Sequence, residues 1–118
     1  MINLIHSFKI LADKNQDVSL DVIGSGPLLE HLKDLSTKLG IRGRVTFHGF
    51  VENHKAVERI LANSTIAAAP YLQDPQSFTY YADPGKLKAY LGAGLPIVLT
   101  DVPPNAKDLE RAGVAIIA

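Results

Sequence analysis

The residues best suited to chemistry in this sequence lie between Asp83 and Gly94. Asp83 is a good N-cap, and Pro84 suits the first helical position, where its missing N–H costs nothing. Gly85 and Lys86 follow in the first turn. Lysine is a flexible point charge suited to a phosphate, and the free N–H groups and positive dipole end of a helix N-terminus attract the same partner. Asp83-Pro84-Gly85-Lys86 therefore reads as an anion site. A solvated first-turn lysine on a surface helix is the plain alternative.

Other candidates are weaker taken singly. Gly24-Ser25-Gly26 ends an apolar run as a strand-to-helix turn should, but it lacks the third glycine of a dinucleotide fingerprint, so a nicotinamide cofactor is poorly supported. His48 is either a ligand contact or an exposed residue at a strand end. His6, His31 and His54 have no metal-ligand spacing, and with no cysteine there is no thiolate site and no disulfide, so no metal is expected. No Ser/His/Asp order and no acidic pair marks a catalytic acid, base or nucleophile.

The elements that must position these residues follow from periodicity. Leu4, Ile5, Phe8, Leu11 and Ala12 share one helical face in a first helix that has no start signal of its own. A second helix opens at Pro27, with Leu28, Leu32, Leu35 and Leu39 inward and Gly40 closing it. Asn53 caps a third, with Val57, Ile60 and Leu61 inward. The helix from Asp83 ends at Gly94 in a left-handed turn, and Asn105 to Arg111 makes a short one closed by Gly113. Five apolar runs, at about 18–23, 44–48, 65–69, 96–100 and 113–117, read as strands. From Tyr71 to Tyr81 no period holds, and Phe78, Tyr80 and Tyr81 fall in what reads as a surface loop. There is no internal repeat and no linker.

Strands alternating with helices predict an α/β fold: a Rossmann-like, mainly parallel sheet with helices on both faces, the five strands in one sheet. Ligands of such sheets bind beyond the carboxyl ends of the strands. Gly24, His48-Gly49, Pro70 and Thr100-Asp101 all stand at those ends. The 118 residues suit one domain with a modest core, and a hydrophobic fraction of 47% argues against disorder. Twelve basic and twelve acidic residues give no net charge, so no nucleic acid is expected as partner. No apolar run approaches a spanning helix and Met1-Ile2-Asn3-Leu4 lacks a basic leader region, so the chain reads as soluble, without a transmembrane segment.

The stretch Asp83-Pro84-Gly85-Lys86 through Gly94-Leu95-Pro96-Ile97-Val98 resembles the donor-binding motif of retaining glycosyltransferases of the GT-B fold, family 4 (the group 1 glycosyltransferases). Val22-Ile23-Gly24-Ser25-Gly26-Pro27 is similar to the family's first glycine turn, and Val45-Thr46-Phe47-His48-Gly49-Phe50-Val51 to its next strand and base-side loop. Together they span most of the chain in the family's order. The resemblance implies a single partial nucleotide-sugar-binding domain over residues 1–118, from the C-terminal domain of such an enzyme. The upstream strand with its Arg/Lys pair, the closing helices and the N-terminal acceptor domain would lie outside it.

It further implies a nucleotide sugar as substrate, no separate cofactor, a saccharide or lipid-linked acceptor as in polysaccharide biosynthesis, and a hexosyltransferase-type parent without which the chain is inactive. The implied location is cytoplasmic, or peripheral to the membrane through the parent. The implied donor contacts are the backbone of Gly24 and Gly26, His48 with the backbone of Gly49, Phe50 and Val51 on the base side, Asp83, Pro84, Gly85 and Lys86 at the diphosphate, and Ala89 near the ribose. Most members carry two glutamates where this chain has Tyr81 and Ala89, the second holding the ribose hydroxyls, and alanine cannot accept their hydrogen bonds. A degenerate, non-catalytic binding or scaffold module is therefore the second reading. An unrelated flavodoxin-like receiver is the third, disfavoured because only Asp21 lies near the first strand. Apolar surface left by missing partners predicts self-association as a homo-oligomer.

Overall fold

A computed structural model of the chain describes residues 1–76 and 85–118. Their elements run, in order, α1 (Ile2–Lys14), β1 (Leu20–Ile23), α2 (Leu29–Lys38), a 3-10 turn (Arg42–Arg44), β2 (Val45–Gly49), α3 (His54–Ala62), β3 (Ala67–Ala69), α4 (Gly85–Gly92), β4 (Ile97–Leu99), α5 (Ala106–Arg111) and β5 (Ala115–Ile117). All five expected strands are present and every pairing is parallel. Their ladders fall into two sheets, β1-β2 and β3-β4-β5, instead of the one expected, because no ladder bond joins β3 to β1 or β2 among the described residues. The chain forms two compact units, Met1–Val57 and Glu58–Ala118.

In the first unit, α1 turns Ile5, Phe8 and Ala12 inward and α2 adds Leu32. With Ile41 and Val45 they form a core against which Leu20, Val22, Leu35, Leu39 and Phe47 pack. Each such aliphatic or aromatic side chain contributes roughly 1.5–3 kcal/mol when fully buried. Ser36 is wholly buried too, its hydroxyl satisfied by the Leu32 carbonyl at 2.8 Å. Leu11 and Leu28, expected inside, are 49% and 51% exposed. Leu11 sits at the edge of the narrow stripe through Ile5, Phe8 and Ala12. Leu28 precedes a helix that starts at Leu29, after a turn closed by Leu29 N–H on the Gly26 carbonyl.

Arg44 holds this unit together from one point. Its guanidinium donates to the carbonyls of Ala12 (2.8 Å), Asn15 (2.6 Å) and Val18 (3.0 Å). It thereby caps the C-terminal end of α1, where carbonyls lack intrahelical partners, and fastens the α1–β1 connection to the start of β2. Asn53 caps α3 as expected: its side-chain oxygen accepts from the Lys55 N–H at 2.9 Å.

In the second unit, β3, β4 and β5 run in register, Ala67, Ile97 and Ala115 forming one row and Ala69, Leu99 and Ile117 another. Ala67, Ala69, Ile97, Leu99 and Ala115 are buried, while Val98 and Ile116 on the alternate face are 37% and 67% exposed. β3 begins at Ala67, two residues later than expected, with Ile66 59% exposed ahead of it. Gly94 (φ +72°) takes the left-handed conformation expected at the end of α4. No described helix is long and apolar enough to cross a membrane.

Because Arg44 makes three hydrogen bonds from a charged, half-exposed group, Arg44→Ala is expected to destabilise the protein by about 2 kcal/mol. Urea unfolding followed by circular dichroism measures it. Arg44→Lys should recover less than half, since an ammonium cannot span three carbonyls.

Candidate functional site

At the carboxyl end of β1 and β2 the sequence candidates Gly24, Gly26, His48, Gly49, Phe50 and Val51 gather on one rim of the first unit. Gly24 N–H donates to the Gly49 carbonyl at 2.7 Å, which joins the two strand ends directly. Gly24 (φ +129°) and Gly49 (φ +67°) both adopt backbone conformations that side chains rarely take, so glycine is demanded there by conformation. The ladder also slips: Val22 pairs with Phe47 but Ile23 with Gly49, so His48 is the extra residue of a bulge. Bulges re-aim side chains. Here His48 Nε2 meets Asp21 Oδ1 at 2.7 Å across the strands. His48 thus has a carboxylate partner, which nothing in its local sequence announced. Phe50, 76% exposed, stands just beyond the bulge.

The second rim lies at the carboxyl ends of β3 and β4. Tyr71, two residues past β3, and Thr100, directly past β4, bind each other twice: Tyr71 N–H donates to Thr100 Oγ1 at 2.9 Å, and the Thr100 hydroxyl donates to the Tyr71 carbonyl at 2.9 Å. This pairing continues the sheet's backbone order past its last ladder bond. Tyr71 is 7% exposed, and its hydroxyl is buried with no hydrogen-bond partner among the described residues.

Lys86, in the first turn of α4, extends over this residue, with Nζ 4.6 Å from the centre of the Tyr71 ring. That is within cation–π range. Desolvation by burial lowers the Lys86 pKa from the usual lysine value. Burial, and secondarily the charge of Tyr90, pushes the Tyr71 phenol up to about 12. Burial raises Tyr90 as well. Tyr90 stands one helical turn after Lys86, on the same face of α4.

Gly85 and Ala89 are exposed on α4 beside Lys86. Asp83 and Pro84 lie outside the described residues, as do Phe78, Tyr80 and Tyr81, so the expected cap, the loop aromatics and the position of the first family glutamate have no structural account. Further along the rim Asp101 pairs with Lys107 at 3.6 Å. The Asn105 side-chain oxygen is buried without a partner among the described residues. A shallow groove lined by Leu91, Gly94, Leu95, Pro96, Gly113 and Val114 lies at the opposite, amino ends of β4 and β5 and holds no titratable side chain. The chemistry is therefore at the rim. Among the described residues no three His, Asp or Glu side chains cluster as metal ligands would.

Sequence reasoning missed Tyr71 and Tyr90. A spacing of four between Lys86 and Tyr90 was legible, but nothing local places Tyr71 under the lysine.

Comparison with known proteins agrees with the geometry. The whole chain, residues 1–118, matches the family model described as glycosyl transferases group 1. An uncharacterized glycosyltransferase of Methanocaldococcus jannaschii is 31% identical over 94 residues, which are 80% of this chain and 22% of that protein. The chain thus spans under a quarter of that relative's length. No solved structure matches.

The raised phenol of Tyr71 has a testable sign. The folded chain holds this proton up to about pH 12, whereas the unfolded chain releases it near 10.0. The stability it contributes is fully present below pH 10 and is lost as pH rises through that window. Tyr90 acts in the same direction and the lowered Lys86 in the opposite one, and both remain when Tyr71 is replaced. Tyr71→Phe should therefore flatten part of the loss of stability above pH 10, read from urea midpoints between pH 8 and 11.

Proposed function

The chain belongs to the glycosyl transferases group 1, and on that premise we propose that it is the donor-binding part, from the C-terminal domain, of a retaining GT-B enzyme of family 4. The reaction is transfer of a hexosyl group from a nucleotide sugar to a saccharide or lipid-linked acceptor, as in polysaccharide biosynthesis. The observation that carries this reading is the position of Lys86. It stands in the first turn of α4, over Tyr71, on the rim where β3 and β4 end. A cation in the first turn of a helix at that rim suits the diphosphate of a nucleotide sugar.

In this proposal Asp83, Pro84, Gly85 and Lys86 attend the diphosphate and Ala89 the ribose. For the first unit the assignments stand as the resemblance has them, with His48 and the backbone of Gly24, Gly26 and Gly49 to Val51 as nucleotide contacts. The nucleotide sugar is the substrate and no separate cofactor is assigned. Such enzymes gain their rate by holding donor and acceptor in reacting geometry and by stabilising charge on the departing diphosphate. Lys86 supplies that charge. The acceptor is held by an N-terminal domain that precedes this one, so the isolated 118 residues form no glycosylated product with any nucleotide sugar and self-associate through uncovered apolar surface. The proposed location is cytoplasmic, or peripheral to the membrane through the rest of the protein.

A second reading, a non-catalytic binding module, is favoured by Tyr81 and Ala89, which stand where the resemblance implies glutamates. Ala89 offers no acceptor to the ribose hydroxyls. Calorimetric titration of the full-length protein with uridine, guanosine and adenosine diphosphates separates the two. At least one should bind. Lys86→Gln should weaken it by roughly 1–2 kcal/mol, or about five- to thirtyfold. Ala89→Glu should tighten binding of the ribonucleotide but not of its dideoxy analogue, because only ribose hydroxyls donate to the new carboxylate. No binding of any diphosphate would favour the second reading.

A further inference from the structure

A lysine side chain on a helix surface has four rotatable bonds and loses rotamer entropy when fixed. An anion site built on a free lysine bears that cost at binding. Lys86 is not free in this sense, since its ammonium lies over the Tyr71 ring at 4.6 Å. The ring is itself held through its own backbone. Tyr71 N–H and C=O are both taken by the Thr100 hydroxyl, and the N–H also reaches the Ala69 carbonyl at 3.1 Å. The two strand ends thus set the ring, and the ring sets the ammonium.

We infer that Tyr71 is the positioning residue of this site: its ring face holds the Lys86 ammonium at the sheet rim, so that Tyr71 as well as Lys86 sets the affinity for a diphosphate. The inference rests on the donor-site reading above. The inference concerns the ring face and not the hydroxyl, which is buried with no partner among the described residues. The hydroxyl and the ring therefore separate cleanly by substitution. Phenylalanine keeps the ring and deletes only the hydroxyl. Leucine is apolar but smaller, and it offers no π face. If Tyr71 acted only by packing, a folded Tyr71→Leu would bind diphosphates as the wild type does.

The test uses the full-length protein labelled with carbon-13 at lysine Cε, as wild type, Tyr71→Phe and Tyr71→Leu. The Lys86 resonance is assigned by its loss in Lys86→Arg. Protons above a ring face are shifted upfield, so the Lys86 Hε signal should stand upfield of the other lysines in wild type and Tyr71→Phe and return among them in Tyr71→Leu. Titration with the same three nucleoside diphosphates should show unchanged affinity in Tyr71→Phe and about three- to tenfold weaker binding in Tyr71→Leu. A wild-type Lys86 signal among the bulk lysines overturns the inference even if Tyr71→Leu fails to fold. Wild-type affinity in a folded Tyr71→Leu overturns it while leaving the donor-site reading intact. Failure of the wild type to bind any diphosphate overturns the donor-site reading itself, and with it the role given to Tyr71.

Discussion

The paired hydrogen bonds between Thr100 and the Tyr71 backbone are the constraint on which the second unit's rim depends. β3 has its last ladder residue at Ala69 and β4 at Leu99. Beyond them the chains would diverge and leave backbone groups unpaired near the core. One hydroxyl, acting as acceptor and donor at once, satisfies both polar groups of Tyr71. Each bond contributes only about 1 kcal/mol net, but a buried group left unmade costs more than that. The local structure therefore has little freedom. With Tyr71 fixed, its ring is buried, its phenol is held neutral, and its face is available to Lys86.

The first unit depends on a different device with the same logic. There the problem is the carbonyl end of α1, which must turn into β1. Arg44, far along the chain, meets the Ala12 carbonyl of α1 and the Asn15 and Val18 carbonyls of the connection with one rigid fork. Arginine suits this because its donors are preorganised in a plane and its charge is weakly hydrated. The opposite end of the same two strands is closed by glycines, Gly24 donating to Gly49 in conformations that a side chain would strain. One end is held by charge and the other by backbone freedom.

The chemistry visible at the second rim is cationic and phenolic. Its described carboxylate, Asp101, is engaged with Lys107. Lys86 and Tyr71 meet there as cation and ring face, 4.6 Å apart.

Much of this was legible in the linear chain because the signals are local. Five apolar runs, the cap at Asn53, the closing glycines at 94 and 113 and the first-turn placement of Lys86 each depend on residues within about four positions, the reach of a helical hydrogen bond. Boundaries were less legible: β3 starts at Ala67 instead of Thr65, and Leu28 stays outside its helix, because ladder bonds and core depth decide where an element begins. The division of the strands into two ladders, the His48–Asp21 pair, the Arg44 fork and the Tyr71–Thr100 clamp were not legible at all. Their partners lie 26 to 32 residues apart, and such contacts exist only once parallel strands have brought their ends side by side. Residue types and spacing thus determined an α/β chain with a lysine at a helix start. Only the tertiary structure decided that this lysine rests on a tyrosine, because the meeting of two strand ends puts the ring there.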